Sequence, residues 1–120
     1  MKLATYRLGH DHPKGGLRLG TVRLPPRAKK SEWPNYFDVW LPTLAPSREL
    51  LSRFKKGEIT HAQLFKRYRS EMRASTDARQ AVQLVAELAL RMPVHLGCYC
   101  EDETKCHRSV LRDLVEQAAR

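Results

Sequence analysis

Apolar residues along this chain change their period as it proceeds. Residues 2–8, KLATYRL, carry them at Leu3, Ala4, Tyr6 and Leu8, a partial alternation that predicts a short strand. Gly9 to Gly16 is a loop, rich in Gly, Asp and Pro. Alternation returns over 17–24 through Leu17, Leu19, Val22 and Leu24, a second strand. Pro25-Pro26 ends it, because proline has no N–H to give to a ladder. Residues 25–35 are a basic, proline-bounded loop. Residues 36–41 hold Tyr36, Phe37, Val39 and Trp40 and read as either a short strand or an irregular packed segment.

From Ser47 the period becomes helical. Ser47 is an N-cap with Glu49 in the first turn, which predicts a helix from 48 to about 56, stopped by Gly57. Thr60 and Gln63 have capping-box spacing and open a helix over 61–74, apolar at Ala62, Leu64, Phe65, Tyr68 and Met72. Thr76 or Asp77 caps a third helix over 78–91. Val94 to Cys100 is apolar nearly throughout, as expected of a buried, central strand. Residues 107–119 close the chain as an amphipathic helix through Val110, Leu111, Leu114, Val115 and Ala118. Strands, then helices, then a strand and a helix predict one small α/β domain over 1–120, with a sheet of about three to four strands flanked by helices.

The formal net charge of +9, from 22 basic and 13 acidic side chains, changes the picture of its partners. A field of that sign attracts anionic small molecules, nucleotides and, more weakly, nucleic acid. The basic residues are spread along the chain and form no single run. No apolar stretch approaches the roughly 20 residues of a membrane span, and the N-terminus lacks the apolar core of a signal peptide. The expectation is a cytoplasmic protein with no membrane contact and no cofactor.

Candidate chemistry concentrates in 94–115. All three cysteines lie between Cys98 and Cys106, where a strand runs through a polar loop into a helix start. That junction is where α/β proteins bind anions. A clustered odd number is not the disulfide framework of a secreted module. Cys98 and Cys100 share one strand face. Cys106 sits at a helix start beside Arg108, surroundings that favour a thiolate.

Three readings stay open. In the first, the loop is an anion pocket with a reactive thiol. Cys100 or Cys106 is then the nucleophile or redox group and His107 the acid or base. Arg23, Arg27, Arg108 and Ser109 bind a phosphate-bearing ligand. The outline resembles rhodaneses and cysteine phosphatases, but Arg108 lies ten, eight and two residues after the three cysteines, and neither activity is assigned. In the second, the chain is a non-catalytic basic module that binds nucleic acid or acts as an adaptor, with its cysteines structural or with Cys98, Cys100, Cys106 and His107 holding zinc. The spacing C-x-C-x5-C-H lacks a C-x2-C knuckle, and adjacent Cys106 and His107 would diverge by about 100° on a helix, so no metal is assigned. In the third, the cysteines simply pack, the best reading for Cys98.

Four segments together, LRLGTVRLPPRAKK, WLPTLAPSRELLSRF, ITHAQLFKRYRSEM and CYCEDETKCHRSVL, resemble the YeaO-like domain-of-unknown-function 488 family. The family's R-L-x-P-R-G turn reads here Arg23-Leu24-Pro25-Pro26-Arg27-Ala28, and the closing motif matches the branch that ends in Cys-His-Arg, onto Cys106, His107 and Arg108. The resemblance implies a small α/β fold and no specific activity. It points to the arginine turn and the cysteine loop, which are expected to meet at one edge of the sheet in one pocket.

Overall fold

The computed structural model describes residues 1–120. The strands are β1 (Leu3–Arg7), β2 (Leu17–Gly20), β3 (Val39–Trp40) and β4 (Val94–Cys98). The helices are α1 (Arg48–Lys55), α2 (His61–Ala74), α3 (Thr76–Arg91) and α4 (His107–Ala118). Short 3-10 turns occupy Lys30–Asn35, Pro42–Leu44 and Glu103–Lys105. The fold is α/β, as the pattern predicts, with one sheet in the order β1-β4-β2-β3 and every pairing parallel. The apolar β4 is interior, between β1 and β2.

The helix ends follow the capping chemistry. Ser47 Oγ accepts the Leu50 N–H at 3.1 Å, and Glu71 of α2 accepts both the N–H and the hydroxyl of Ser47. Thr60 and Gln63 make both bonds of the capping box. Gly57 takes φ +74 just beyond α1, a conformation that disfavours any Cβ. Helix α3 starts at Thr76, two residues before the expected position, because Ser75 Oγ accepts the Ala78 N–H and so serves as N-cap while also ending α2.

The strands are shorter than the alternation suggests. β2 ends at Gly20, and the next residue, Thr21, fully buried, gives the last ladder N–H and also its hydroxyl to the Gly97 carbonyl, each at 2.9 Å. β4 ends at Cys98 and not Cys100. In 36–41 only Val39 and Trp40 pair with β2, and Trp33 meets Phe37 and Trp40 edge-on at 5.9 and 5.8 Å.

Two apolar clusters hold the layers together. The larger sets Leu19, Val94 and Leu96 of the sheet against Tyr68, Val85, Leu111, Val115 and others from the helices. Full burial of each large apolar side chain contributes about 1.5–3 kcal/mol. The smaller cluster joins Tyr6, Leu8, Val22, Phe37, Cys98 and Cys106, with Trp33, Tyr36 and Trp40 against it. No helix is long and apolar enough to cross a membrane. Because all strands are parallel, their carboxyl ends share one edge, where the loops after β1, β2 and β4 converge on the start of α4.

Candidate functional site

The end of β4 and the start of α4 bring the three thiols together. Their sulfurs lie within 4.8 Å of one another, all as free cysteines. Cys98 and Cys106 are buried, whereas Cys100 is exposed. Cys98 Sγ lies 3.8 Å from Cys100 Sγ. Cys106 is the N-cap of α4, in extended backbone with φ −119° and ψ 146°. It is not a helical residue, so the 100° divergence expected between Cys106 and His107 does not apply. Both side chains point into one place, and His107 Nδ1 lies 3.8 Å from Cys106 Sγ and 3.7 Å from Cys98 Sγ.

The other nitrogen of His107 fixes its tautomer. Nε2 is 2.8 Å from the Thr21 carbonyl, which can only accept, so the proton is on Nε2 and the Nδ1 lone pair faces the sulfurs. Burial holds the His107 pKa below its ordinary value, so the ring is neutral at pH 7. Tyr68, also buried, meets the ring edge-on at 5.3 Å. Of the three thiols, Cys100 is the one whose surroundings favour the thiolate. Hydrogen bonds from Cys106 and then Cys98 push its thiol down, helped by His107 and Arg108. The donors move the opposite way: the Cys98 thiol is pushed up to about 11 and the Cys106 thiol well above its ordinary range, first through their bonds to Cys100.

Arg108 sits under this loop, and only 4% of it is exposed. Its Nη1 donates to the carbonyls of Cys100 at 2.8 Å, Cys98 at 3.2 Å and Tyr6 at 3.3 Å, tying the end of β1 to the end of β4. Its Nε is buried with no acceptor. Ser109 spends its hydroxyl on the Cys106 carbonyl at 2.8 Å. The structure thus sets both residues as braces of the loop, outside the lining of the cavity next to it.

That cavity, about 690 Å³, opens beside the thiols. Cys98, Cys100 and His107 form one wall, with Val22, Leu24, Pro46, Leu51 and Tyr99 as apolar lining and Arg23, Arg48, Lys55 and Lys56 as its cations. The arginine turn and the cysteine loop do share one pocket, through Arg23. Arg27, exposed beyond Pro26, does not line it. Arg23 also donates to the carbonyls of Pro46 and Ala45, each at 3.1 Å, so it fixes the turn that leads into α1.

The contribution of α1 escapes a reading by charge alone, in which Arg48 and Lys55 belong to a solvated face. The signal is present in the spacing. Arg48, Leu51, Ser52 and Lys55 stand at i, i+3, i+4 and i+7, one stripe of a helix, and all four line the cavity. What hides it is that the stripe mixes cations with one apolar residue and so resembles neither a core face nor a solvent face.

No match is found among curated proteins or solved structures. A family model described as the active DUF488-N3 subclade matches residues 3–119. The chain therefore belongs to that family, as its arginine turn and its Cys-His-Arg motif suggest.

Proposed function

We propose that the protein binds a phosphate-bearing small molecule, of nucleotide type, in the cavity beside the cysteine loop, and that the Cys100 sulfur is the group that reacts with it. The observation that carries this reading is the exposed Cys100 thiol sharing one cavity with Arg23, Arg48, Lys55 and Lys56. The cations offer a phosphate its charge partners, since guanidinium and ammonium groups bind it through charge-assisted bonds. The apolar wall of Val22, Leu24, Leu51 and Tyr99 suits a flat, weakly polar body attached to that phosphate. In the covalent step a bond forms between the Cys100 sulfur and an electrophilic centre of the ligand. The bond to the departing group breaks, and that group leaves with the bonding electron pair and takes a proton from solvent. Arg108 and Ser109 hold the loop, and His107 sets its Nδ1 against the Cys98 and Cys106 sulfurs and so fixes that side of the cluster.

The test is calorimetric titration of reduced, chelator-treated protein with ADP and with inorganic pyrophosphate. Arg48→Glu combined with Lys55→Glu should weaken binding at least about tenfold, the effect of roughly 1.4 kcal/mol. Lys66→Glu, an exposed charge reversal on α2, should leave it unchanged. Equal losses from both sets, or no binding of either probe, would overturn the reading. A duplex oligonucleotide that binds where the probes do not, with steep salt dependence, would favour the non-catalytic nucleic-acid module instead.

A further inference from the structure

We infer that Cys98, Cys100, Cys106 and His107 form a site for one thiophilic divalent metal ion of zinc type. The inference rests on the geometry of the four donors and not on the anion-binding reading.

Tetrahedral coordination with metal–sulfur bonds near 2.3 Å and a metal–nitrogen bond near 2.0–2.1 Å requires sulfurs about 3.8 Å apart and sulfur–nitrogen separations of about 3.6 Å. The Cys98–Cys100 sulfurs are 3.8 Å apart, and His107 Nδ1 is 3.7 and 3.8 Å from the Cys98 and Cys106 sulfurs. The three sulfurs all lie within 4.8 Å of one another; Nδ1 is close to two of them, and the edge from Nδ1 to Cys100 has to close for the ion to take all four donors. The edges that involve Cys100 are the adjustable ones, because Cys100 is exposed and lies beyond the end of β4. Cys98, Cys106 and His107 are held by strand, N-cap and helix.

Two further observations point to a cation among these donors. First, His107 is set as a metal ligand is set. A backbone carbonyl takes its Nε2–H, and its Nδ1 lone pair faces the sulfurs. Ligating histidines are fixed in this way by an outer hydrogen bond. Second, Arg108 is a buried guanidinium with no carboxylate partner, bonded only to carbonyls, two of them on Cys98 and Cys100. A buried cation needs a counter-charge. Three thiolates and a neutral imidazole around a divalent ion carry a net charge of −1, so metal loading keeps the counter-charge that the Cys100 sulfur gives Arg108 in the metal-free protein. The soft sulfur donors select zinc-type ions over calcium or magnesium.

On binding, each cysteine that enters as a thiol releases its proton to solvent, and no electron moves. Metal loading also withdraws the Cys100 sulfur from the cavity chemistry. The metal-loaded and metal-free proteins are then two states of the same thiol.

The experiment is titration of the reduced, chelator-treated chain with Co(II), followed by Zn(II). One Co(II) per chain should bind, with the intense ligand-field bands of a tetrahedral thiolate site, and Zn(II) should displace it. Because Cys100 is exposed, Cys100→Ser should fold. It should shift those bands, weaken the sulfur-to-metal charge transfer and lower affinity by more than the roughly 10–100-fold cost of losing an outer-shell partner. Zn(II) should also suppress alkylation of Cys100 in the native chain. Absence of stoichiometric binding, a spectrum unchanged in Cys100→Ser, or alkylation indifferent to Zn(II) would overturn the assignment. Binding of ADP to the metal-free protein is read separately, so the two proposals fail independently.

Discussion

Replacing Arg108 separates two roles for the Cys-His-Arg motif. If its guanidinium faced a ligand, Arg108→Met would abolish anion binding and leave the fold alone. The structure assigns the opposite. Nη1 carries two hydrogens across three carbonyl acceptors, so its contribution is capped at two charge-assisted bonds, about 1.5–3 kcal/mol each. Against this, Nε is buried without an acceptor, a cost of about 1–3 kcal/mol that methionine removes while keeping most of the stem. The Cys98 carbonyl also keeps its bond from the Leu8 N–H. The balance is about 2 kcal/mol of destabilisation. For 120 residues at about 2.1 cal/mol/K each, the unfolding entropy is roughly 0.25 kcal/mol/K, so Tm should fall by about 8 °C. Thermal unfolding by circular dichroism reads this directly, and ADP titration below the transition reads the site. A variant that melts within about 2 °C of the parent yet loses tenfold or more in ADP affinity would refute the brace and return Arg108 to the ligand.

Three other outcomes follow from the geometry. In metal-free protein, iodoacetamide should modify Cys100 well below the usual thiol range near pH 8.5, with Cys98 and Cys106 protected until unfolding; mapping by mass spectrometry would contradict this if Cys100 reacted only as pH rose through that range. Gly97→Ala should destabilise by about 1–3 kcal/mol in urea, because a Cβ there would sit 2.6 Å from the Tyr6 ring and 2.7 Å from Leu8 inside the interior strand; an unchanged midpoint would show that both side chains can give way. Asp38 accepts the Arg18 guanidinium and N–H, and the Arg18 side chain is the main cause that holds its carboxyl below the ordinary carboxylate range. A depressed folded-state pKa gives stability that is present above the unfolded value and lost as pH falls through the folded one. Asp38→Asn should therefore flatten the acid limb of the stability profile, modestly since the pair is half exposed, and an identical limb would exclude the pair as a contributor.

Elements governed by near neighbours were legible in the chain. Ser47, Thr60 and Gly57 mark helix ends through bonds spanning three or four residues, and β4 announces its interior place by being apolar on both faces. What stayed hidden depends on partners distant in sequence. The Thr21 hydroxyl, just past β2, bonds the carbonyl of Gly97, 76 residues away. The Cys-His-Arg motif lies in the loop where the three thiols cluster, but its spacing implied divergent side chains for Cys106 and His107. That inference treats Cys106 as helical, whereas it is the extended N-cap. One residue of helix boundary, the least determined quantity in a periodicity argument, separates scattered side chains from three clustered sulfurs with an imidazole nitrogen against two of them. The same boundary assigns Arg108. As the second residue of α4 it turns inward beneath the loop, and the charge that looked like a ligand contact becomes the support for the carbonyls of Cys98 and Cys100. On the proposed anion-binding reading, the charge partners at the same edge are those of the Arg48–Lys55 stripe of α1, which the fold brings to the cavity.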